Sequence, residues 1–294
     1  MNGVGGLLAR AGEVLRGASD SPHADASLLL AHALSRPREW LAAHPEATVD
    51  PAHLEQFLAA CQRRRRGTPI AYILGHAGFY GREFLVDERV LVPRPETEHL
   101  VDEALRVLRR AQRDGRQPAV LDVGTGSGAI ACTIAAETGL AVDATDVSPA
   151  ALRVAARNAA ELGVGGRCRF YQGDLAASVA GRRYDLLVAN LPYVPTRDLP
   201  EPPDSAGFEP PQALDGGSDG LDCYRRLLRD APALLAPGGT ALLEAAPPTI
   251  AGLAALARSA FPDGAIEIGS DYAGLARYVG VEAPHAPSGS GGAR

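Results

Sequence analysis

Long hydrophobic runs, paired cysteines, metal-spaced histidines and aromatic residues are all scarce or missing in this 294-residue chain. No stretch approaches the ~18 consecutive apolar residues of a membrane-spanning helix, so no membrane association is expected. The N-terminus has no basic segment leading into an apolar one, which argues against a secretory signal. Lysine is absent. All 29 basic residues are arginine, and 35 acidic residues outnumber them, giving a net charge of -6 and a pI near 5.7. That balance argues against a protein that coats nucleic acid by bulk charge. The cysteines, Cys61, Cys132, Cys168 and Cys223, stand far apart with no Cys-x-x-Cys, and read as isolated buried thiols in a reducing cytoplasm. The seven histidines show no ligand spacing, so no metal site is expected. Hydrophobic (46%) and charged (22%) fractions sit near globular averages, which excludes wholesale disorder. The length allows one large α/β domain or two ordinary ones.

Residues 1–75 read as a small helical domain for substrate or partner recognition. Leu7, Leu8, Ala11, Val14 and Leu15 recur at helical spacing, and Ala24–Leu34 forms a second apolar segment. In a third helix Asp50 can cap, Pro51 suits the first position, and Leu54, Phe57, Leu58 and Cys61 form a stripe. Arg63–Arg66 complement its dipole and read as a solvated end, with contact to ribosomal RNA or an acidic protein face as the alternative, and Gly67 stops it. Residues 76–92 read as a hairpin linker: Phe79-Tyr80 and Phe84–Val86 flank Gly81-Arg82, and Val90–Val92 extends the strand.

From residue 93 to 282 the pattern is that of an α/β domain. Pro93-Arg94-Pro95 breaks the chain, and a helix follows from Glu96. Strands are expected at Ala119–Val123, Ala141–Thr145, Cys168–Tyr171, Leu186–Ala189, Thr240–Glu244, Ala265–Ile268 and Arg277–Val281. Helices are expected at Ser127–Glu137, Pro149–Leu162 (capped by Ser148), Leu221–Leu235 and Thr249–Ala260. Near-continuous apolar strands alternating with helices imply a mostly parallel sheet covered on both faces. Residues 283–294, rich in Pro, Gly, Ser and Ala, read as a disordered tail.

Three motifs carry chemistry. The strand Val120–Val123 runs into Gly124-Thr125-Gly126-Ser127-Gly128, so the backbone can approach a ligand at a helix N-terminus. A dinucleotide site fits the glycines loosely, but the Gly-x-Gly-x-Gly form with Asp122 two residues earlier favours S-adenosyl-L-methionine. Asp146 ends the next strand, where an acid can take both hydroxyls of a ribose; Asp143, inside the strand, is the weaker candidate. Asn190-Leu191-Pro192-Tyr193 follows the strand Asp185–Ala189. There the Asn190 side chain and the Leu191 carbonyl offer two acceptors beside the flat face of Tyr193. Such a site suits a planar NH2 group, whose nitrogen lone pair is delocalised until its hydrogens are gripped.

Asn190–Tyr193 resembles the Asn-Pro-Pro-Tyr signature of class I methyltransferases acting on planar amino groups. Leu91-Val92-Pro93-Arg94-Pro95-Glu96-Thr97-Glu98 is narrower and resembles a block of the PrmC/HemK protein-glutamine N5-methyltransferases. Collinear agreement continues at Ala26–Ala33, Trp40–Pro45, Pro69–Gly75, Glu209-Pro210, Ala213–Leu221 and the Pro237-Gly238-Gly239 turn, over roughly residues 5–282. The resemblance implies a helical N-terminal domain, a hairpin linker and a class I S-adenosylmethionine-dependent methyltransferase domain with a seven-stranded, mostly parallel sheet. It implies methylation of the glutamine in the Gly-Gly-Gln loop of peptide chain release factors; together with the acidic balance and cysteine usage, a cytoplasmic monomer with no stable nucleic-acid partner is expected. Gly124, Thr125, Gly126, Ser127, Gly128 and Asp146 would hold the methyl donor, with Asn190 beside it and Leu175 near the adenine. Asn190, Leu191, Pro192 and Tyr193 would carry the catalysis, and Arg94 and Thr97 would line the active site.

Three positions depart from the family pattern. Leu191 replaces the commoner Pro, though only its carbonyl is needed. Leu175 stands where an aromatic ring is common, and Ala245-Ala246-Pro247-Pro248 stands where Gly and then Gln usually follow Glu244. Competing expectations are a ribosomal-protein glutamine, a small-molecule amide or an N6-adenine as acceptor. An NAD-dependent oxidoreductase would need acid–base groups that the sequence does not place, and a donor-binding pseudoenzyme is at odds with two intact motifs.

Overall fold

The computed structural model describes residues 3–271 and 273–285. The described residues form two compact units. Among the described residues the first comprises 3–77, Val86–Glu88 and Pro200–Glu209; the second comprises Gly78–Leu85, Arg89–Leu199, 210–271 and 273–285.

The first unit contains five helices: α1 (Val4–Val14), α2 (Pro22–Leu34), α3 (Arg38–Ala43), α4 (Pro51–Arg65) and α5 (Ile70–Leu74). Leu7, Ala11, Leu15, Leu29, Leu30, Leu41, Phe57 and Cys61 share one core. The Asp50 carboxylate accepts from the Ala52 and His53 N–H groups and caps α4, with Pro51 in the first turn. Val14 and Leu58, expected on apolar stripes, are half exposed, because the buried arcs of α1 and α4 are narrower than the sequence stripes. The arginine run is not a uniformly solvated helix end. Arg64 is nearly buried, paired with Asp25 at 2.6 Å, and it donates to the Ser205 hydroxyl at 2.9 Å. That contact joins the distant segment Pro200–Glu209 to this unit.

A hairpin follows, formed by β1 (His76–Phe79) and β2 (Arg82–Leu85). Its turn is Tyr80-Gly81 rather than Gly81-Arg82. Both turn residues have positive φ (50° and 68°), the geometry that matches the twist of a two-residue hairpin. Residues 90–92 form no strand; Val90 and Leu91 instead line a cavity of the second unit.

The second unit is built on one seven-stranded sheet. Its strands are β3 (Val120–Val123), β4 (Val142–Asp146), β5 (Cys168–Gln172), β6 (Tyr184–Ala189), β7 (Leu235–Glu244), β8 (Ala265–Ser270) and β9 (Ala276–Glu282). The order is β5-β4-β3-β6-β7-β9-β8, parallel except for β9. This is a class I methyltransferase architecture, a mostly parallel Rossmann-like sheet with helices. Alternate residues enter two cores, as the two-residue period of a strand requires. Leu121, Val123, Leu187 and Ala189 pack with α9 (Asp222–Leu234) and α10 (Ile250–Ala260). Val120, Leu186 and Val188 pack with α6 (Thr97–Arg113) and α7 (Ala129–Thr138). Between β4 and β5 runs α8 (Pro149–Glu161), whose first turn is capped by the Ser148 hydroxyl.

Pro237-Gly238-Gly239 is not a turn between elements but a bulge inside β7. Tyr184 pairs with Leu235 and Leu186 with Thr240, so extra residues of β7 loop out against β6. Ala283, the first residue of the expected tail, is buried, and its N–H donates to Gly239 O at 2.8 Å. Residues 286–294 lie outside the described residues. Cys61, Cys132 and Cys168 are buried as expected, whereas Cys223 is only half-buried, at the edge of the cavity described next.

Candidate active site

Strand order turns around at β3, with β4 on one side and β6 on the other; this is the place where open α/β sheets bind ligands. Register aligns the strand ends. Val123 pairs with Thr145 and with Ala189, and Ala189 pairs with Leu243. One step further, Gly124, Asp146, Asn190 and Glu244 therefore stand side by side at the same edge of the sheet. Gly124, Gly126, Asp146, Leu175, Asn190, Leu191 and Pro192 line one cavity there. A larger concavity between α6 and β7–β9, of about 580 Å³, holds none of the motif residues.

The glycine loop is shaped by its backbone. Gly124 has φ +77°, and a Cβ there would stand 2.7 Å from Leu191 Cδ2, so any side chain at 124 drives into the neighbouring loop. Thr125, Ser127 and Gly128 build the loop from behind rather than lining the cavity. The Thr125 hydroxyl donates to the fully buried Asp122 carboxylate at 2.7 Å. Burial pushes the Asp122 pKa up to about 7, against the pull of Thr125 and the Ala131 N–H. The Ser127 carbonyl accepts from Asn158 Nδ2 at 2.8 Å, and the same buried Asn158 exchanges two hydrogen bonds with the Leu85 backbone. The Gly128 N–H donates to Thr125 O.

Asp146 faces this loop. One carboxylate oxygen accepts from the Gly126 N–H at 2.9 Å and the other from the Ser148 N–H at 2.8 Å. Burial raises its pKa, opposed by these N–H groups. Each oxygen keeps a lone pair for a further donor. Asp143, by contrast, is held by Arg169, Arg182 and the Tyr184 hydroxyl, and it stands outside the cavity lining. Leu175 lines the cavity with φ +50°, an uncommon backbone state for a leucine.

The Asn190 loop is held by side chains from three other elements. Asn190 Nδ2 donates to the buried Thr97 hydroxyl at 3.1 Å. The Leu191 N–H donates to the Tyr224 phenol at 3.1 Å, and that phenol donates to the Glu244 carbonyl. Val194 and the strap 214–217 are tied together: the Val194 N–H donates to Leu214 O at 3.0 Å and the Gly216 N–H to Val194 O at 2.8 Å. Tyr193 lies within the electrostatic reach of Arg94, Arg277, Glu96 and Glu244, and its pKa is pushed to about 12, first by burial and then by the Glu244 charge. Arg94 and Thr97 thus gather beside Asn190–Tyr193, while Gly124, Gly126, Asp146 and Leu175 lie at the other end of the cavity. At the third departure, Ala245 is buried and its N–H donates to Arg277 O at 2.8 Å, extending the β7–β9 pairing.

Two protein families match the sequence: the PrmC N-terminal domain over residues 6–75 and the methyltransferase small domain over residues 97–199. The chain is 44% identical over 221 residues to the release factor glutamine methyltransferase of Xylella fastidiosa (strain 9a5c), covering 75% of this chain and 78% of that protein. It is 42% identical over 265 residues to the enzyme of that name from Chlorobaculum tepidum, covering 88% and 89%. This chain belongs to the release factor glutamine methyltransferase family.

Among solved structures, a methyltransferase from Pyrococcus furiosus matches with a TM-score of 0.51 at 16% identity, covering 71% of this chain and 92% of that one. The T. thermophilus 16S rRNA N2 G1207 methyltransferase matches with 0.51 at 18% identity, covering 71% and 49%. At such identities these two share the fold. What sequence reasoning missed in this family member is the support beneath the motifs. Glu244 carried a usable signal, an acid ending an otherwise apolar strand. Tyr224 and Asn158 carried none, because each acts on a segment distant in sequence.

Proposed function

We propose that this protein transfers the methyl group of S-adenosylmethionine to the side-chain amide nitrogen, N5, of the glutamine in the Gly-Gly-Gln loop of peptide chain release factors. The names of its relatives and the shared fold support methyl transfer to a release-factor glutamine. The observation that carries the site assignment is the orientation at Asn190. Its NH2 group is turned to Thr97 and the Leu191 N–H to Tyr224, which leaves two carbonyl acceptors for the amide hydrogens of a glutamine.

The residues at the opposite end fit the methyl donor. Asp146 has spare acceptor capacity for two hydroxyls, Leu91, Leu175 and Pro192 give an apolar wall, and at Gly124 any Cβ would crowd Leu191 on that wall. When bound there, S-adenosylmethionine supplies an electrophilic methyl group on sulfonium. Asn190 and Leu191 hold and polarise the amide, and the rate comes from positioning and preorganised dipoles. No strong base is required, because methylation itself acidifies the amide N–H. Pro192 stiffens the loop, and Tyr193 flanks the gripped group. The helical first unit would recognise the release factor. A cytoplasmic monomer is part of the same reading, and no helix among the described residues is long and apolar enough to cross a membrane.

The test is labelled methyl transfer to purified release factor, to its Gln-to-Ala loop variant and to ribosomal RNA. Label on the wild-type factor alone is expected. Label on RNA, or on the Gln-to-Ala variant, would overturn the assignment.

A further inference from the structure

The buried face of the Asn190 loop holds polar groups that donor binding and amide gripping leave unexplained. Glu244 is 3% exposed and Thr97 4%, and neither is among the residues that line the cavity with Asn190. Thr97 and Asn190 lie close enough to the Glu244 carboxylate to lower its pKa, and its Oε2 has no partner among the described residues. A buried carboxylate with an unused oxygen is costly unless something else requires it.

Proton direction supplies that requirement. A threonine hydroxyl has one hydrogen. Since Thr97 accepts from Asn190 Nδ2, its own proton must go to another acceptor, and Glu244 is that acceptor. The chain of donors therefore runs from Asn190 NH2 through Thr97 O–H to the carboxylate, which leaves Asn190 Oδ1 facing away from it. Reversing any link would put an NH2 group where the substrate amide needs an acceptor.

We propose that Glu244 and Thr97 are positioning residues that fix the side-chain amide of Asn190 with its oxygen outward, and so decide that the site takes a hydrogen-donating amide. The inference rests on the functional reading above. Glu244 must be ionised to act only as acceptor. Its pKa is raised to about 7, by burial first and by the Glu96 charge, against the pull of Thr97, Arg277 and Asn190; the Tyr193 and Tyr224 hydroxyls also face it. Turnover should accordingly rise as pH increases through about 7, as the carboxylate ionises.

The variants are Glu244→Gln, Thr97→Val and Thr97→Ser, assayed on release factor across pH 5.5–9. Glu244→Gln and Thr97→Val are expected to lower kcat about tenfold to a hundredfold, below the roughly hundredfold to thousandfold cost of removing an oriented group that itself touches the substrate, with KM and donor Kd changed less than about threefold. Glu244→Gln should flatten the acidic limb, and Thr97→Ser should restore most of the rate. In parallel, the Asn190 side-chain NH2 signals should lose exchange protection in Thr97→Val; this NMR readout needs no substrate. Unchanged kcat and pH profile in the variants, unchanged NH2 protection, or equal loss of donor binding would overturn the inference. A wild type that leaves release factor unmethylated would instead defeat the functional reading, and the NH2 signals would still test the positioning.

Discussion

The loops after β3 and β6 leave the sheet one residue past paired positions, yet they are held in different ways. The first, Gly124–Gly128, takes its shape mainly from its own backbone, through glycines at positive φ. The second, Asn190–Tyr193, is held by Thr97 from α6, Tyr224 from α9 and Glu244 from β7. In the proposed function the first loop makes room for the donor, whereas the second aims two acceptors. Room is specified by what is left out of a sequence. Aim needs partners, and here Tyr224 lies 33 positions and Thr97 93 positions away in the chain.

Several substitutions separate the two modes. The largest effect is expected at Asn190→Ala, a loss of about a hundredfold to a thousandfold in kcat, comparable with removal of one oriented group from an oxyanion hole, with donor affinity largely kept. Gly124→Ala should act on the other side of the division. Its Cβ meets Leu191 and forces a residue into positive φ, a strain of about 1–3 kcal/mol. Calorimetry should show weaker donor binding by roughly tenfold or more, with the maximal rate at saturating donor less affected. The smallest effect concerns Asp122, beneath the first loop. Its pKa is raised in the fold, so the protonated form favours folding; this contribution is present below the unfolded pKa near 4 and is lost as pH rises towards about 7. The melting temperature of Asp122→Asn relative to wild type should therefore rise between pH 4 and 7, and a constant difference would contradict it.

The same contrast explains what could be read from the sequence. The glycine loop, Asp146 and Asn190–Tyr193 were legible because each sits at the end of an apolar strand, and strand ends in a parallel sheet converge. The seven strands were legible for a related reason: buried parallel strands are nearly continuous apolar runs. The hairpin was misread by one residue because Tyr80, unusually, takes the positive φ that a glycine would normally supply. Val90–Val92 looked like a strand because it is apolar, but part of that apolar surface lines the cavity. The arginine run hid Arg64, whose partner Asp25 is 39 positions away. Glu244 was visible as an acid at a strand end but gained meaning only from Thr97 and Asn190 beside it.

The account rests on one division of labour, and a single-turnover experiment on Asn190→Ala tests it most directly. Enzyme saturated with labelled methyl donor is mixed with release factor, and label transfer is followed alongside donor affinity. The account predicts near-normal donor binding with transfer reduced about a hundredfold or more. Near-normal transfer by Asn190→Ala would contradict it.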